Sequence, residues 1–162
     1  MKLYVDLTAG TLKINEATFG ISCRVRSIKS GDRKKSEVVR TVSVTPPFIG
    51  EPYDPLKFPR GTWKITAIEY QNNYKFDTWT YGPVKIRTNA QQTVKIWLLD
   101  SDGDYLHETT EVTVDWGYLL HYSESSTTTG CIRFNSGYDA ISVAELIEEA
   151  SRNKEEVFLE VV

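Results

Sequence analysis

Apolar and polar residues alternate along most of this 162-residue chain. The opening "KLYVDL" and "TLKI", and later "TWKITAIEY", "VKIRT" and "YLHETTEVTV", send side chains of opposite character to opposite faces of an extended backbone. Val, Ile, Tyr, Trp and Thr fill these runs, as half-buried strands require. The pattern predicts strands near 2–7, 11–15, 19–26, 38–44, 62–70, 82–88, 92–99, 105–114, 117–122, 131–134 and 156–162. "DLTAGTL" reads as the turn joining the first two strands, and "DSDGD" as the turn between 99 and 105. Prolines gather in 46–59, "PPFIGEPYDPLKFP", which reads as a long ordered loop within one domain spanning 1–162.

The period changes once. Val143, Leu146, Ile147 and Ala150 follow helical spacing, and Ser142 with Glu145 forms a capping box ahead of them. "SRNKEE" then leads into a last strand, "VFLEVV". The expected layout is a mainly β domain with one C-terminal helix and a return strand.

Composition narrows the functional classes. A chain of this size buries roughly 70% of its unfolded surface, enough for a single sizeable core. The net charge of -3 gives no basic surface for general nucleic-acid binding, and Arg33, Lys34 and Lys35 read as a solvated loop. No run approaches the roughly 18 apolar residues of a membrane-spanning helix, so no membrane insertion is expected. The N-terminus reaches Asp6 almost at once and lacks the apolar core of a signal peptide, so the chain is expected to be made in the cytoplasm. Two cysteines and two histidines are too few for a zinc motif, and no metal or cofactor is expected. Cys23, in the strand-like "GISCRVRS", reads as a small buried residue.

Two stretches resemble functional motifs but have plainer explanations. "DSDGDYLHETTE" puts Asp100, Asp102, Asp104 and Glu111 at calcium-loop positions, yet Tyr105 replaces the glycine such a loop needs; an Asp-Gly hairpin fits better, with His107 a surface strand residue. Trp63, Trp79, Trp97 and Trp116 are spread along strands, as core and sheet-packing residues are.

The stretch "LLHYSESSTTTGCIRF" (119–134) carries more. A strand ends near His121, a loop of small hydroxyl residues follows, and a Gly-Cys step opens the next strand. As antiparallel neighbours the two strands would bring His121 and Cys131 nearly opposite, with Cβ atoms roughly 5 Å apart. A free thiol with a pKa near 8.5 is only a few per cent thiolate at neutral pH, and an adjacent imidazole takes up its proton. Gly130 permits a tight backbone whose amides can face a developing oxyanion. A His–Cys pair on a hairpin is also compatible with a purely structural role.

This segment resembles the L,D-transpeptidase catalytic-domain family of bacterial peptidoglycan enzymes. That family places a His on one strand, then Ser/Thr-His-Gly-Cys followed by an apolar residue and Arg. Here the matching residues are His121 and Thr128-Thr129-Gly130-Cys131-Ile132-Arg133. "FPRGTWKI" (58–65) is similar to the family's Pro-x-Gly-x-aromatic segment, and both chain ends are similar to its first hairpin and closing helix–strand. Thr129 stands where the family has His, Tyr122 where Gly is frequent, and only ten positions separate His121 from Cys131. These departures are similar to those of the divergent L,D-transpeptidase-related toxins delivered by type VI secretion.

The resemblance implies a β-sandwich fold of L,D-transpeptidase type. It also implies a cysteine nucleophile, Cys131, with His121 as its base, acting on peptidoglycan stem peptides. The expected reaction is L,D-carboxypeptidase cleavage that releases D-Ala, with exchange of free D-amino acids. Gly130, Thr129, Arg133 and Tyr122 are the candidate oxyanion and substrate-binding residues. An antibacterial effector of this kind would work in the periplasm of a target cell, with an immunity protein and secretion machinery as further partners. The alternatives are a cross-linking L,D-transpeptidase and a non-catalytic β module that binds glycan or a partner.

Overall fold

The computed structural model describes residues 1–23, 39–44, 58–71, 81–99, 105–124 and 130–162, with 39–44, 93–99 and 105–115 described by backbone alone. Eleven strands and one long helix are seen among them: β1 (Lys2–Asp6), β2 (Thr11–Ile14), β3 (Ala17–Ser22), β4 (Val39–Val44), β5 (Gly61–Tyr70), β6 (Val84–Thr88), β7 (Gln91–Leu99), β8 (Tyr105–Trp116), β9 (Leu119–Tyr122), β10 (Ile132–Phe134), α1 (Gly137–Arg152) and β11 (Phe158–Val161). Each overlaps an element expected from hydrophobic periodicity. The basic run 33–35, the turn 100–104, Trp79, Thr129 and most of the proline segment lie outside the described residues, as do the side chains of Trp97 and His107.

The mainly β character is present, but the arrangement differs from a sandwich. Eight strands close into a barrel in the order β1-β11-β5-β6-β9-β10-β3-β2, and β4-β7-β8 form a separate three-stranded sheet. The small sheet is made of insertions: β4 lies between β3 and β5 in sequence, and the β7–β8 hairpin between β6 and β9. Alternating patterns cannot separate the two architectures, because barrels and sandwiches both bury one face of each strand.

The alternation read from sequence is the barrel wall. Leu3 and Val5, Leu12 and Ile14, Val84 and Ile86, Ile132 and Phe134, and Leu159 and Val161 are buried in one hydrophobic cluster. Leu120 and Ile21 join them from β9 and β3. Residues between these positions point to the outer face of the barrel.

The helix starts earlier than its periodicity suggested. Ser136 is the N-cap, its hydroxyl accepting the Asp139 N–H at 3.1 Å, and Ser142 lies inside the helix. The cap is itself a Ser-x-x-Asp signal, masked by Gly137 at the first helical position, a poor helix former. A Cβ there would sit 3.3 Å from the Pro83 ring, a tight contact that glycine avoids. Ala140, Val143, Ala144, Ile147 and Ala150 form the buried face of α1.

Candidate functional site

The described His–Cys region is built on β6, β9 and β10. Strands β9 and β10 are parallel, with Leu120 level with Ile132, His121 with Arg133 and Tyr122 with Phe134. The expected antiparallel hairpin is therefore corrected: Arg133, not Cys131, stands opposite His121. The link from Tyr122 to Ile132 is nine residues, short for a parallel crossover. It suffices because β9 and β10 are only four and three residues long, so the return path is short.

Cys131 immediately precedes β10, two positions before the Arg133 that stands level with His121. His121 and Cys131 therefore lie near one another where β10 begins beside β9. Both residues alternate with core positions, Leu120 and Ile132, yet both are buried, at 3% and 9% exposure.

His121 is held in a defined state. Its Nδ1 lies 3.0 Å from the Tyr122 carbonyl oxygen, which can only accept, so Nδ1 carries the proton. In the neutral ring Nε2 is then an unprotonated base. Burial pushes the imidazole pKa below its ordinary value; the Tyr122 carbonyl opposes this, and the positive charges of Lys85 and Arg133 add to it. The Tyr81 ring packs against the imidazole with centroids 5.3 Å apart. Tyr81 and Lys85 were not among the residues singled out from sequence. Tyr81 precedes its strand in an unremarkable "YGP", and Lys85 is one of several strand lysines.

The other candidates are distributed as follows. Gly130 has φ +82, a left-handed conformation that favours glycine, and is buried where the chain turns into Cys131. Arg133 donates from Nε to the Ser123 carbonyl at 2.7 Å, and its guanidinium carbon lies 5.1 Å from the Tyr122 ring centroid. It therefore ties down the start of the loop. Tyr122 packs on Gly82, where an added Cβ would meet it at 2.8 Å, so its backbone seats β9 against the segment before β6.

Cys23 has a role that its sequence context hid. It is half-buried, accepts the Phe58 N–H at 3.4 Å and donates to the Gly130 carbonyl at 3.7 Å. The thiol thus links the end of β3, the start of the "FPRGTW" segment and the peptide preceding Cys131. In that segment Gly61 has φ +134, and Trp63 Nε1 donates to the Pro59 carbonyl at 2.9 Å, closing the turn into β5. Both cysteines are free of disulfide. Trp116, expected to pack, is 78% exposed.

Among the described residues no cluster of His, Cys, Asp or Glu is arranged to hold a metal ion, and no helix is long and apolar enough to cross a membrane. Comparison with models of known families, with curated proteins and with solved structures found no match.

Proposed function

We propose that the chain is a cysteine-nucleophile enzyme of L,D-transpeptidase type, cleaving the L,D bond of peptidoglycan tetrapeptide stems. The observation that carries this reading is His121: a buried imidazole with Nδ1–H fixed on a carbonyl, level with the Arg133 that follows Cys131 by two positions. A base for a thiol must be a neutral imidazole with an unprotonated ring nitrogen, and His121 meets that requirement.

In this mechanism His121 Nε2 takes the Cys131 proton as sulfur attacks the carbonyl on the L-centre of the third stem residue. The tetrahedral intermediate collapses, His121 protonates the departing amine, and D-Ala leaves. Water then resolves the thioester, or a free D-amino acid does so in exchange. Only nine residues join β9 to β10, so little chain is available beside the nucleophile to shape a surface for a second stem. Hydrolysis and exchange are therefore favoured over cross-linking. Action in the periplasm as a secreted antibacterial effector, with an immunity protein as counterpart, belongs to the same proposal.

Purified disaccharide tetrapeptide, incubated with the protein and followed by mass spectrometry, should lose D-Ala and give tripeptide, while Cys131→Ala should be inert. Dimeric cross-links as the chief product would make the chain a cross-linking enzyme. No change in any muropeptide would favour a non-catalytic module.

A further inference from the structure

Three cations are half-buried among the described side chains: Lys85, Arg87 and Arg133. All three alternate with core residues and so point to the outer face of the barrel. Arg87 is neutralised by Glu69, with contacts of 2.6 and 3.0 Å. Lys85, level with Glu69 across β5 and β6, shares that one carboxylate with Arg87, and Arg133 makes no ion pair among the described residues. Lys85 Nζ sits 4.1 Å from the Tyr81 ring centroid, and Arg133 is held by Ser123 and Tyr122. An aromatic face steadies a cation without neutralising it, and one carboxylate among three cations leaves this face net positive.

The pairing registers set these two cations on either side of the base. Lys85 is level with His121 across β6 and β9, and His121 is level with Arg133 across β9 and β10. The row begins at Glu69 beside Lys85, but Arg87 holds both Glu69 oxygens, so the part nearest His121 stays positive and suits an anionic ligand. Arg133 has turned its Nε toward the loop, whereas Lys85 lies over the ring that packs on His121.

We infer that Lys85 binds the free carboxylate of the residue that the enzyme releases, making it a reader of peptide ends. The assignment rests on the peptidoglycan reading for its substrate and on the strand register for its geometry. In the released residue, one Cα separates the amine from the carboxylate. An amine protonated by His121 therefore presents its carboxylate to the neighbouring strand, about 4.8 Å away, where Lys85 is placed. A stem lacking a free end has no anion to offer there.

The test compares a tetrapeptide stem ending in D-Ala with the same stem ending in D-Ala amide. The wild-type protein should prefer the acid in kcat/KM by about 10–100-fold, the worth of one charge-assisted hydrogen bond. Lys85→Gln should bring the ratio close to one, and Lys85→Arg should restore most of it. Lys64→Gln, at an exposed lysine paired with Glu156 away from His121, should keep the wild-type ratio. A second arm needs no peptide: Cys131 is alkylated with iodoacetate and with iodoacetamide, which differ mainly in charge. The iodoacetate-to-iodoacetamide rate ratio at Cys131 should exceed that of glutathione and fall several-fold in Lys85→Gln. If muropeptides remain uncut but this ratio falls, the anion site stands and the peptidoglycan reading does not. Ratios unchanged by Lys85→Gln in both arms would overturn the inference.

Discussion

The barrel contains two parallel strand pairs, β1 with β11 and β9 with β10, and they treat their outer faces differently. In the first, Leu3 faces Leu159 and Val5 faces Val161 in the core, while outside Lys2 pairs with Glu160 at 2.7 Å. Backbone bonds seal its ends, from Phe158 N–H to the Met1 carbonyl and from Leu7 N–H to the Val162 carbonyl. In the second, Leu120 faces Ile132 in the core, but outside a buried histidine faces an arginine that makes no ion pair among the described residues. One backbone geometry serves both. One outer face is closed by an ion pair, and the other sets a neutral imidazole beside an arginine, a contrast that the proposed function accounts for.

The sharpest way to break the comparison is on the β9–β10 side. His121→Ala should lower turnover by about 10²- to 10⁴-fold, the usual worth of a general base. The loss should be greater at pH 6 than at pH 9, where a thiol ionises without help. A pH profile parallel to wild type, in steady-state kinetics, would remove His121 from the mechanism.

On the β1–β11 side the effect should fall on stability. Leu159 is fully buried, and Leu159→Ala should cost about 2–5 kcal/mol in a urea titration through lost packing and a residual cavity. Turnover per folded molecule should stay at the wild-type level. A variant that folds well but turns over slowly would mean that the two sides are not separable.

Smaller effects sharpen the contrast. Cys23→Ala deprives the Phe58 N–H and the Gly130 carbonyl of their sulfur partner. Turnover should drop by up to about tenfold, since one net hydrogen bond is worth about 1 kcal/mol. Cys23→Ser, which keeps a donor and an acceptor, should recover part of that loss.

The smallest expected effect is acid sensitivity. The folded-state pKa of His121 is lowered, chiefly by burial, whereas in the unfolded chain it titrates near 6.5. Below that value the unfolded chain binds the extra proton first. The stability linked to neutral His121 is therefore present above pH of about 6.5 and is lost as pH falls toward the folded pKa. Urea midpoints at pH 7.5 and pH 5.5 should thus differ more for wild type than for His121→Asn. Equal differences would mean that the ring is not buried as a neutral group.

Much of this was legible in the residues. Strand positions followed from period-two alternation because every barrel strand buries one face and exposes the other. His121 and Cys131 stood out because the chain has only two of each residue type. The pairing direction of β9 and β10 was not legible, since a short polar link favours a hairpin and only the barrel's closure makes it a crossover. The true helix start was hidden by Gly137, whose reason, contact with Pro83, is tertiary. Cys23, Tyr81 and Lys85 gave no local signal, because their meaning lies in partners 35 or more residues away: Phe58 and Gly130 for Cys23, and His121 for the other two.

The central claim, that Cys131 is the nucleophile, is tested most directly by trapping the acyl-enzyme. Acid quenching of the wild-type protein during turnover of disaccharide tetrapeptide, followed by digestion and mass spectrometry, should show disaccharide tripeptide in thioester linkage on the peptide containing Cys131. The Cys23 peptide should be unmodified, and Cys131→Ala should show no adduct. Turnover that persists in Cys131→Ala, or an adduct confined to Cys23, would contradict the account.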